Sequence, residues 1–160
     1  MTPAYIANMA PTFLRFWHGP NPPVSRQWLG NHKTIGGFIV ATLAGIVVAW
    51  MIAKAYSAGL LDWVAPPYVE NWFWFGGSLG FAAILGDSIK GFFKRQLHIQ
   101  PGASWIPFDQ LDFVIAALLV IRFWIQISWI EAGIIVAISF FADLLVNQIS
   151  YRIGIKRAPW

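Results

Sequence analysis

The chain has 160 residues, of which 58% are hydrophobic, and a mean hydropathy of +0.58. Soluble domains are about 45–50% apolar, so this composition argues against an ordinary soluble protein. Only 11% of the residues are charged, the net charge is +4, and the lack of cysteine excludes disulfide scaffolds and thiolate metal sites. The apolar residues occur in blocks of roughly 20, which can cross hydrocarbon as helices. We therefore predict an all-α integral membrane protein.

The predicted elements begin with a short apolar segment, residues 1–17, which is either interfacial or a first helix that is cut short. Residues 18–33 contain several prolines and glycines, which predicts a loop. Four blocks long enough to span a membrane follow, at 34–57, 71–86, 108–128 and 131–153. In the connection at 58–70, Pro66 and Pro67 should interrupt any helix.

Lysine and arginine are distributed unevenly around these spans. If residues 1–14 form a fifth span, one side holds Arg15, Arg26, Lys33, Lys90, Lys94, Arg95, Arg152, Lys156 and Arg157. The other side holds Lys54 and Arg122. Because cytoplasmic loops are enriched in cations, the first side should be cytoplasmic. We predict a single domain over residues 1–160: a multi-pass cell-membrane protein of about five transmembrane helices, with a polar cavity facing the cytoplasm.

The first polar cluster lies at the start of the span at 34–57. Lys33 and Thr34 precede Gly36 and Gly37, an arrangement that could bind a phosphate through a hydroxyl, a point charge and backbone N–H groups. The motif lacks the spacing of a P-loop. The alternative is that the lysine marks the cytoplasmic side and the threonine caps the helix.

The second cluster gathers carboxylates and cations between two apolar spans. Asp87, Lys90 and Lys94 are three and four residues apart and share a helix face, as do Asp109 and Asp112. Acidic residues at membrane depth are costly and mark functional sites. Mg²⁺ prefers one or two carboxylates with phosphate oxygens, and lysines neutralise the remaining phosphate charge. The alternative, an Asp87–Lys90 salt bridge with Asp109 as a helix N-cap, leaves Asp112 unexplained.

A third set of polar residues lies in the last span. Asp143, Asn147 and Tyr151 recur every four residues and therefore share one helix face. Inside a bilayer such a stripe faces a polar cavity or forms hydrogen bonds between helices. Both interpretations remain open from the sequence.

Four segments carry a resemblance to a known family: PAYIANMAP at 3–11, LGNHKTIGGF at 29–38, GDSIKGFFKRQLHIQPGASWIPFDQLDF at 86–113 and NQISYRIGIKRAPW at 147–160. In this order they resemble the CDP-archaeol synthase family, cytidylyltransferases with five membrane helices. The resemblance implies that CTP and Mg²⁺ are used to attach CMP to a membrane lipid phosphate within the lipid bilayer, with release of pyrophosphate.

The resemblance also implies roles for individual residues. The implied catalytic residues are Asp87, Lys90, Lys94, Arg95, Asp109 and Asp112. The implied metal ligands among them are Asp87, Asp109 and Asp112, and the implied substrate-binding residues are Lys33, Thr34 and Asn147. We expect no nucleic-acid partner.

Two alternatives to this function follow from the sequence. The same chemistry could serve another acceptor, such as phosphatidic acid. A second alternative is a membrane protein that binds or transports lipid or nucleotide without turnover. Its basis is that the family usually has other residue types where Asn31 and Asp143 stand; a third such departure is at Ile35.

Overall fold

A computed structural model shows the chain as a helical bundle and describes residues 1–63, 67–100 and 103–154. The helices are α1 (Thr2–Met9), α2 (Ile35–Ser57), α3 (Pro67–Glu70), α4 (Trp72–Gln96), α5 (Phe108–Ile121) and α6 (Trp129–Arg152). A 3₁₀ helix, Ala10–Phe16, continues α1. The predicted all-α class is confirmed. Lys156 and Arg157, which contributed to the predicted charge asymmetry, lie outside the described residues.

The long helices follow the predicted spans with two differences at their ends. Among the described residues, α2 and α6 are long and apolar enough to cross a membrane. Helix α4 continues beyond residue 86 to Gln96, so it carries its charged residues on one continuous helix. Helix α5 ends at Ile121 rather than 128, and the chain then turns towards Ser128. Ser128 and Glu131 form a capping box that starts α6.

The connection at 58–70 contains a short helix that the sequence interpretation missed. Pro67 was expected to interrupt any helix, but it begins α3. Proline is tolerated in a first turn because its missing N–H would have no partner within the helix there. Pro66 lies outside the described residues.

Helices α2 and α4 cross at unusually close range because small residues line both surfaces. A Cβ atom added to Gly45 would lie 2.3 Å from the carbonyl oxygen of Gly76, and one added to Gly80 would lie 2.6 Å from that of Ala41. Backbones can approach this closely only where side chains are absent or small. This crossing therefore fixes where α4 presents its charged end.

We expect Gly45→Ala to destabilise the bundle. The added methyl group would collide with the α4 backbone, and overpacking of this kind costs about 1–3 kcal/mol. Thermal unfolding in detergent, followed by loss of helical circular dichroism, should occur at a lower temperature than in the unmodified protein. Gly133→Ala is the matched control, because a Cβ atom there meets nothing within 4 Å. Equal unfolding temperatures for the two variants would contradict the close crossing.

Helix α1 packs against α2, α4 and α5, and its Tyr5 side chain reaches α6. Ala4 and Ala7 are fully buried in these contacts. The Tyr5 ring meets Phe113 of α5 edge to face at 5.5 Å, and its hydroxyl hydrogen-bonds Ser139 Oγ on α6. These contacts hold the short α1 beside the first turns of α5.

Large apolar side chains cover much of the outer surface. On α2 they recur at Ile39, Leu43 and Val47, and on α6 at Ile134 and Ile138, all more than half exposed. In water this surface would be unfavourable by roughly 25 cal/mol per Å² of apolar area. A hydrocarbon environment removes that cost, as expected of a membrane protein.

Candidate active site

Ion pairs join three separate parts of the chain at one end of the bundle. The members are Lys33, just before α2; Asp87, Lys90 and Lys94, on α4; and Asp109 and Asp112, in the first turns of α5. We call these six residues the ion-pair cluster. Most of the side chains that the sequence singled out for catalysis therefore lie together.

Lys90 is at the centre of the ion-pair cluster. Its Nζ lies 3.1 Å from Asp87 Oδ1, 3.3 Å from Asp109 Oδ1 and 2.7 Å from Asp112 Oδ2. Asp87 is one helical turn before Lys90, whereas the other two carboxylates come from α5. One ammonium group thus neutralises carboxylates from two helices.

Two further lysines pair with the outer carboxylates. Lys33 Nζ donates a hydrogen bond to Asp87 Oδ2, which ties the start of α2 to α4. Lys94 Nζ donates to both oxygens of Asp109, at 3.0 and 2.9 Å. The backbone N–H of Trp105 also donates to Asp109 Oδ2, at 2.6 Å. The predicted role of Asp109 as a helix N-cap is not observed, because Pro107 holds that position.

Close contact between α4 and α5 brings the carboxylates together. A Cβ atom added to Gly86 would lie 2.5 Å from the Asp112 carbonyl oxygen and 2.8 Å from Ala116 Cβ. Only glycine permits this approach, since any other residue would displace the α5 backbone. Gly86 therefore sets the distance at which Asp112 reaches Lys90.

The ion-pair cluster is only partly accessible to solvent. The Asp112 side chain is 5% exposed and the Lys90 side chain 17%. Within the described residues, Asp112 Oδ2 has no hydrogen bond of acceptable angle, and Lys90 is its charge partner. Charges interact more strongly when removed from water, and a buried charge that loses its partner is strongly destabilising. The arrangement therefore requires cations beside these carboxylates.

The start of α2 adopts the helix-cap arrangement. Thr34 Oγ1 accepts a hydrogen bond from the Gly37 N–H at 3.1 Å. The Gly36 N–H donates to Asn21 Oδ1 at 3.1 Å. In this conformation both N–H groups of the suggested phosphate cradle have protein partners, and Lys33 instead joins the ion-pair cluster. The structure therefore agrees with the capping interpretation of Thr34.

Arg95 lies beside the ion-pair cluster and contacts the loop before α2. Its Nε donates to the Trp28 carbonyl oxygen at 3.1 Å. Gly30 has φ +74, and a Cβ atom there would lie 2.5 Å from Arg95 Nη1. The Trp28 ring also stacks on Phe92 of α4, with centroids 5.8 Å apart. Arg95 thus fastens the 18–33 loop to the end of α4.

Asn147 is outside the ion-pair cluster among the contacts that the structure describes. It is buried on α6, and its Nδ2 donates to Asp143 Oδ2 at 2.8 Å. The two side chains share one helix face, as the four-residue spacing predicted. A substrate-binding role for Asn147 stays a prediction.

An apolar groove of about 500 Å³ opens between α4 and α5 next to the ion-pair cluster. Lys90 and Asp112 are its charged lining residues. Its apolar walls include Ile89, Phe93, Trp105, Phe108, Leu111 and Ile115. The groove therefore has apolar walls that suit a hydrocarbon chain and charged residues of the ion-pair cluster in its lining.

The carboxylates fit a divalent cation that shares its ligands with a substrate. Among the described residues, no three His, Cys, Asp or Glu side chains form a group that could hold a metal ion by themselves. Asp87 and Asp112 nevertheless direct oxygens from two helices towards one cation, Lys90 Nζ. Mg²⁺ commonly takes one or two carboxylates and completes its coordination with phosphate oxygens and water. The donor set suits a metal that arrives with phosphates.

Two features of this site were not predicted from the sequence. Lys33 and Asp87 are 54 positions apart, and no local pattern indicates their contact. The role of Gly86 could have been suspected, because an isolated glycine within a helix often has a packing reason.

Comparisons with known proteins agree on one family. Residues 1–160 match the sequence model of the family described as CarS-like, CDP-archaeol synthase. A CDP-archaeol synthase of Methanospirillum hungatei is 34% identical over 173 residues, covering 100% of both chains. One of Saccharolobus islandicus is 32% identical, covering 99% of this chain and 91% of its own.

A solved structure also shares this fold. It is described as "Structural insight into an intramembrane enzyme for archaeal membrane lipids biosynthesis". It superimposes with a TM-score of 0.72 at 28% identity, over 92% of this chain and 89% of that one. The similarity therefore extends across nearly the whole helical bundle.

Proposed function

Because the chain belongs to the CarS-like family of CDP-archaeol synthases, we propose that it transfers CMP from CTP to a membrane lipid phosphate. The products are a CDP-lipid, such as CDP-archaeol, and pyrophosphate. The observation that carries this proposal is the position of the ion-pair cluster at the head of an apolar groove. Lys90 and Asp112 belong to the ion-pair cluster, which would bind the phosphates, and also line the groove, which would admit the lipid chain.

The reaction is an in-line nucleotidyl transfer. An oxygen of the lipid phosphate attacks the α-phosphorus of CTP and forms a new P–O bond. The bond between the α-phosphorus and the bridging oxygen breaks, and its electron pair leaves with pyrophosphate. A phosphate monoester already carries negative charge near neutral pH, so the attack requires no general base. Catalysis then consists mainly of positioning and charge stabilisation.

The lysines are suited to stabilise the charge that develops on the phosphate oxygens. Lys33, Lys90 and Lys94 approach the same carboxylates from different directions, so a polyphosphate among them would meet several donors. Arg95 adds a guanidinium beside them while it fastens the neighbouring loop. Thr34 and Asn147 complete the proposed substrate-binding residues, with Thr34 acting through the start of α2.

Mg²⁺ is the proposed cofactor, held by Asp87 with Asp109 or Asp112. When bound, it would supply positive charge to the triphosphate and to the leaving pyrophosphate. The Asp112 side chain is the most deeply buried of the three carboxylates, and its pairing with Lys90 keeps it directed towards the site. Through the metal, these carboxylates would position the phosphates at the end of the apolar groove.

The proposed arrangement in the membrane follows from the cation distribution. We propose five membrane segments in one domain over residues 1–160, with α1, α2, α4, α5 and α6 as the segments. Lys33, Lys90 and Lys94 lie at one end of the bundle, as expected of a cytoplasmic side rich in cations. The active site would then lie at the cytoplasmic surface of the cell membrane, where CTP can reach it.

The direct test is pyrophosphate release from CTP by purified protein in detergent with Mg²⁺. We expect release only when both the metal and a lipid phosphate are present, because the acceptor supplies the attacking oxygen. Ether-linked and ester-linked lipid phosphates should be compared as acceptors, with EDTA-treated protein as the metal control. A preference for ester lipid would assign phosphatidic acid as the acceptor. No release with any acceptor from folded protein would contradict the proposal and favour binding or transport.

A further inference from the structure

Lys90 places its ammonium group between the carboxylates of α4 and α5. Its ammonium group lies within 3.3 Å of oxygens from Asp87, Asp109 and Asp112. The Asp112 side chain is 95% buried, and its Oδ2 faces Lys90. A protein cation thus holds together carboxylates that would otherwise repel one another.

The charges within the ion-pair cluster cancel. Three aspartates are paired with Lys33, Lys90 and Lys94, so the six side chains have no formal net charge. A free divalent cation entering this set would meet three ammonium groups at close range, which opposes its binding. Those repulsions would be offset if the cation arrived with a triphosphate. The negative phosphate oxygens could then pair with the ammonium groups in place of the carboxylates.

We propose that Lys90 substitutes for the divalent cation in the free enzyme and transfers its contact from carboxylate to phosphate when the nucleotide binds. The divalent cation then binds together with the nucleotide and not before it. This inference rests on the proposed function, because it concerns the same carboxylates.

The side chain of Lys90 is suited to this exchange. A lysine has a compact charge on a flexible stem, so it can release one set of oxygens and reach another without backbone movement. Lys90 also lines the apolar groove, which places its stem beside the apolar walls that we propose receive the lipid chain. The other two lysines each pair with one carboxylate, Lys33 with Asp87 and Lys94 with Asp109, and can hold those carboxylates during the exchange. Lys94 Nζ also donates to the Ala103 carbonyl oxygen at 2.6 Å, which helps to keep it in place.

The test is direct binding of Mn²⁺ to purified protein in detergent, measured by electron paramagnetic resonance of the free ion. The unmodified protein should bind Mn²⁺ at least tenfold more tightly in the presence of a non-hydrolysable CTP analogue than in its absence. Lys90→Met, which keeps the apolar stem, should bind Mn²⁺ without nucleotide at least tenfold more tightly than the unmodified protein. Lys90→Arg retains the charge and should show no such gain. Lys54→Met is the matched control and should behave as the unmodified protein.

Tight Mn²⁺ binding by the unmodified protein without nucleotide would overturn the inference, even if Lys90→Met failed to fold. Equal Mn²⁺ affinities of folded Lys90→Met and unmodified protein would also overturn it. Pyrophosphate release from CTP by the unmodified protein is a separate measurement, which neither of these results decides. The binding order and the proposed function can therefore fail separately. Mn²⁺ binding alone, with no CTP turnover under any condition, would instead contradict the proposed function.

Discussion

Replacing Asp112 by asparagine is expected to abolish CMP transfer, with a loss of at least about 10²-fold in the rate of pyrophosphate release. The amide keeps the shape of the side chain but removes the charge that faces Lys90 at 2.7 Å. Water cannot supply the lost negative charge or reach the site easily, because the Asp112 side chain is only 5% exposed. Asp112→Asn should therefore affect the reaction more than the other single carboxylate changes.

The protein should stay folded in this variant. Lys90 would keep Asp87 and Asp109 as partners, so no ammonium group is left alone in a buried position. Circular dichroism and elution in detergent should match those of the unmodified protein. Asp62→Asn is the matched control, because Asp62 is exposed and lies outside the ion-pair cluster. Full activity of Asp112→Asn would remove this residue from the site.

Gly86→Ala is expected to lower CMP transfer by about 10²-fold while leaving most of the bundle intact. The new methyl group would lie 2.5 Å from the Asp112 carbonyl oxygen, so the first turns of α5 must move away from α4. A displacement of about 1 Å at a catalytic group can cost that much in rate. Helix propensity alone predicts the opposite, a stabilisation of about 1 kcal/mol relative to glycine.

Gly77→Ala separates these two effects. It makes the same chemical change on the same helix, but its Cβ atom would be 3.5 Å from the Ile46 side chain, an ordinary contact. Its pyrophosphate release should match that of the unmodified protein, and its unfolding temperature should be the same or higher, because alanine favours the helix and meets no clash there. If both alanine variants retained full activity, the close contact of α4 and α5 at Gly86 would not position Asp112 for the reaction.

The long apolar helices could be predicted because their signal is local. Apolar blocks of sufficient length have few alternatives to a helix in hydrocarbon, and α2 and α6 follow the predicted blocks closely. The ends were less predictable. Helix α4 continues beyond the apolar block to Gln96, an extension that the three- and four-residue spacing of its charged residues allowed, but their partners on α5 could not be read from that spacing.

The residue order alone shows carboxylates and lysines concentrated between two apolar blocks, in the pattern of a known family. Which of these side chains meet depends on how the helices pack. Lys33 reaches Asp87 across 54 residues, and Gly86 lets α5 approach until Asp112 faces Lys90. Arg95 contacts the Trp28 carbonyl oxygen, which no spacing rule indicated. The physical reason is that helix periodicity is a local property, whereas contacts between helices depend on how closely their backbones can pack.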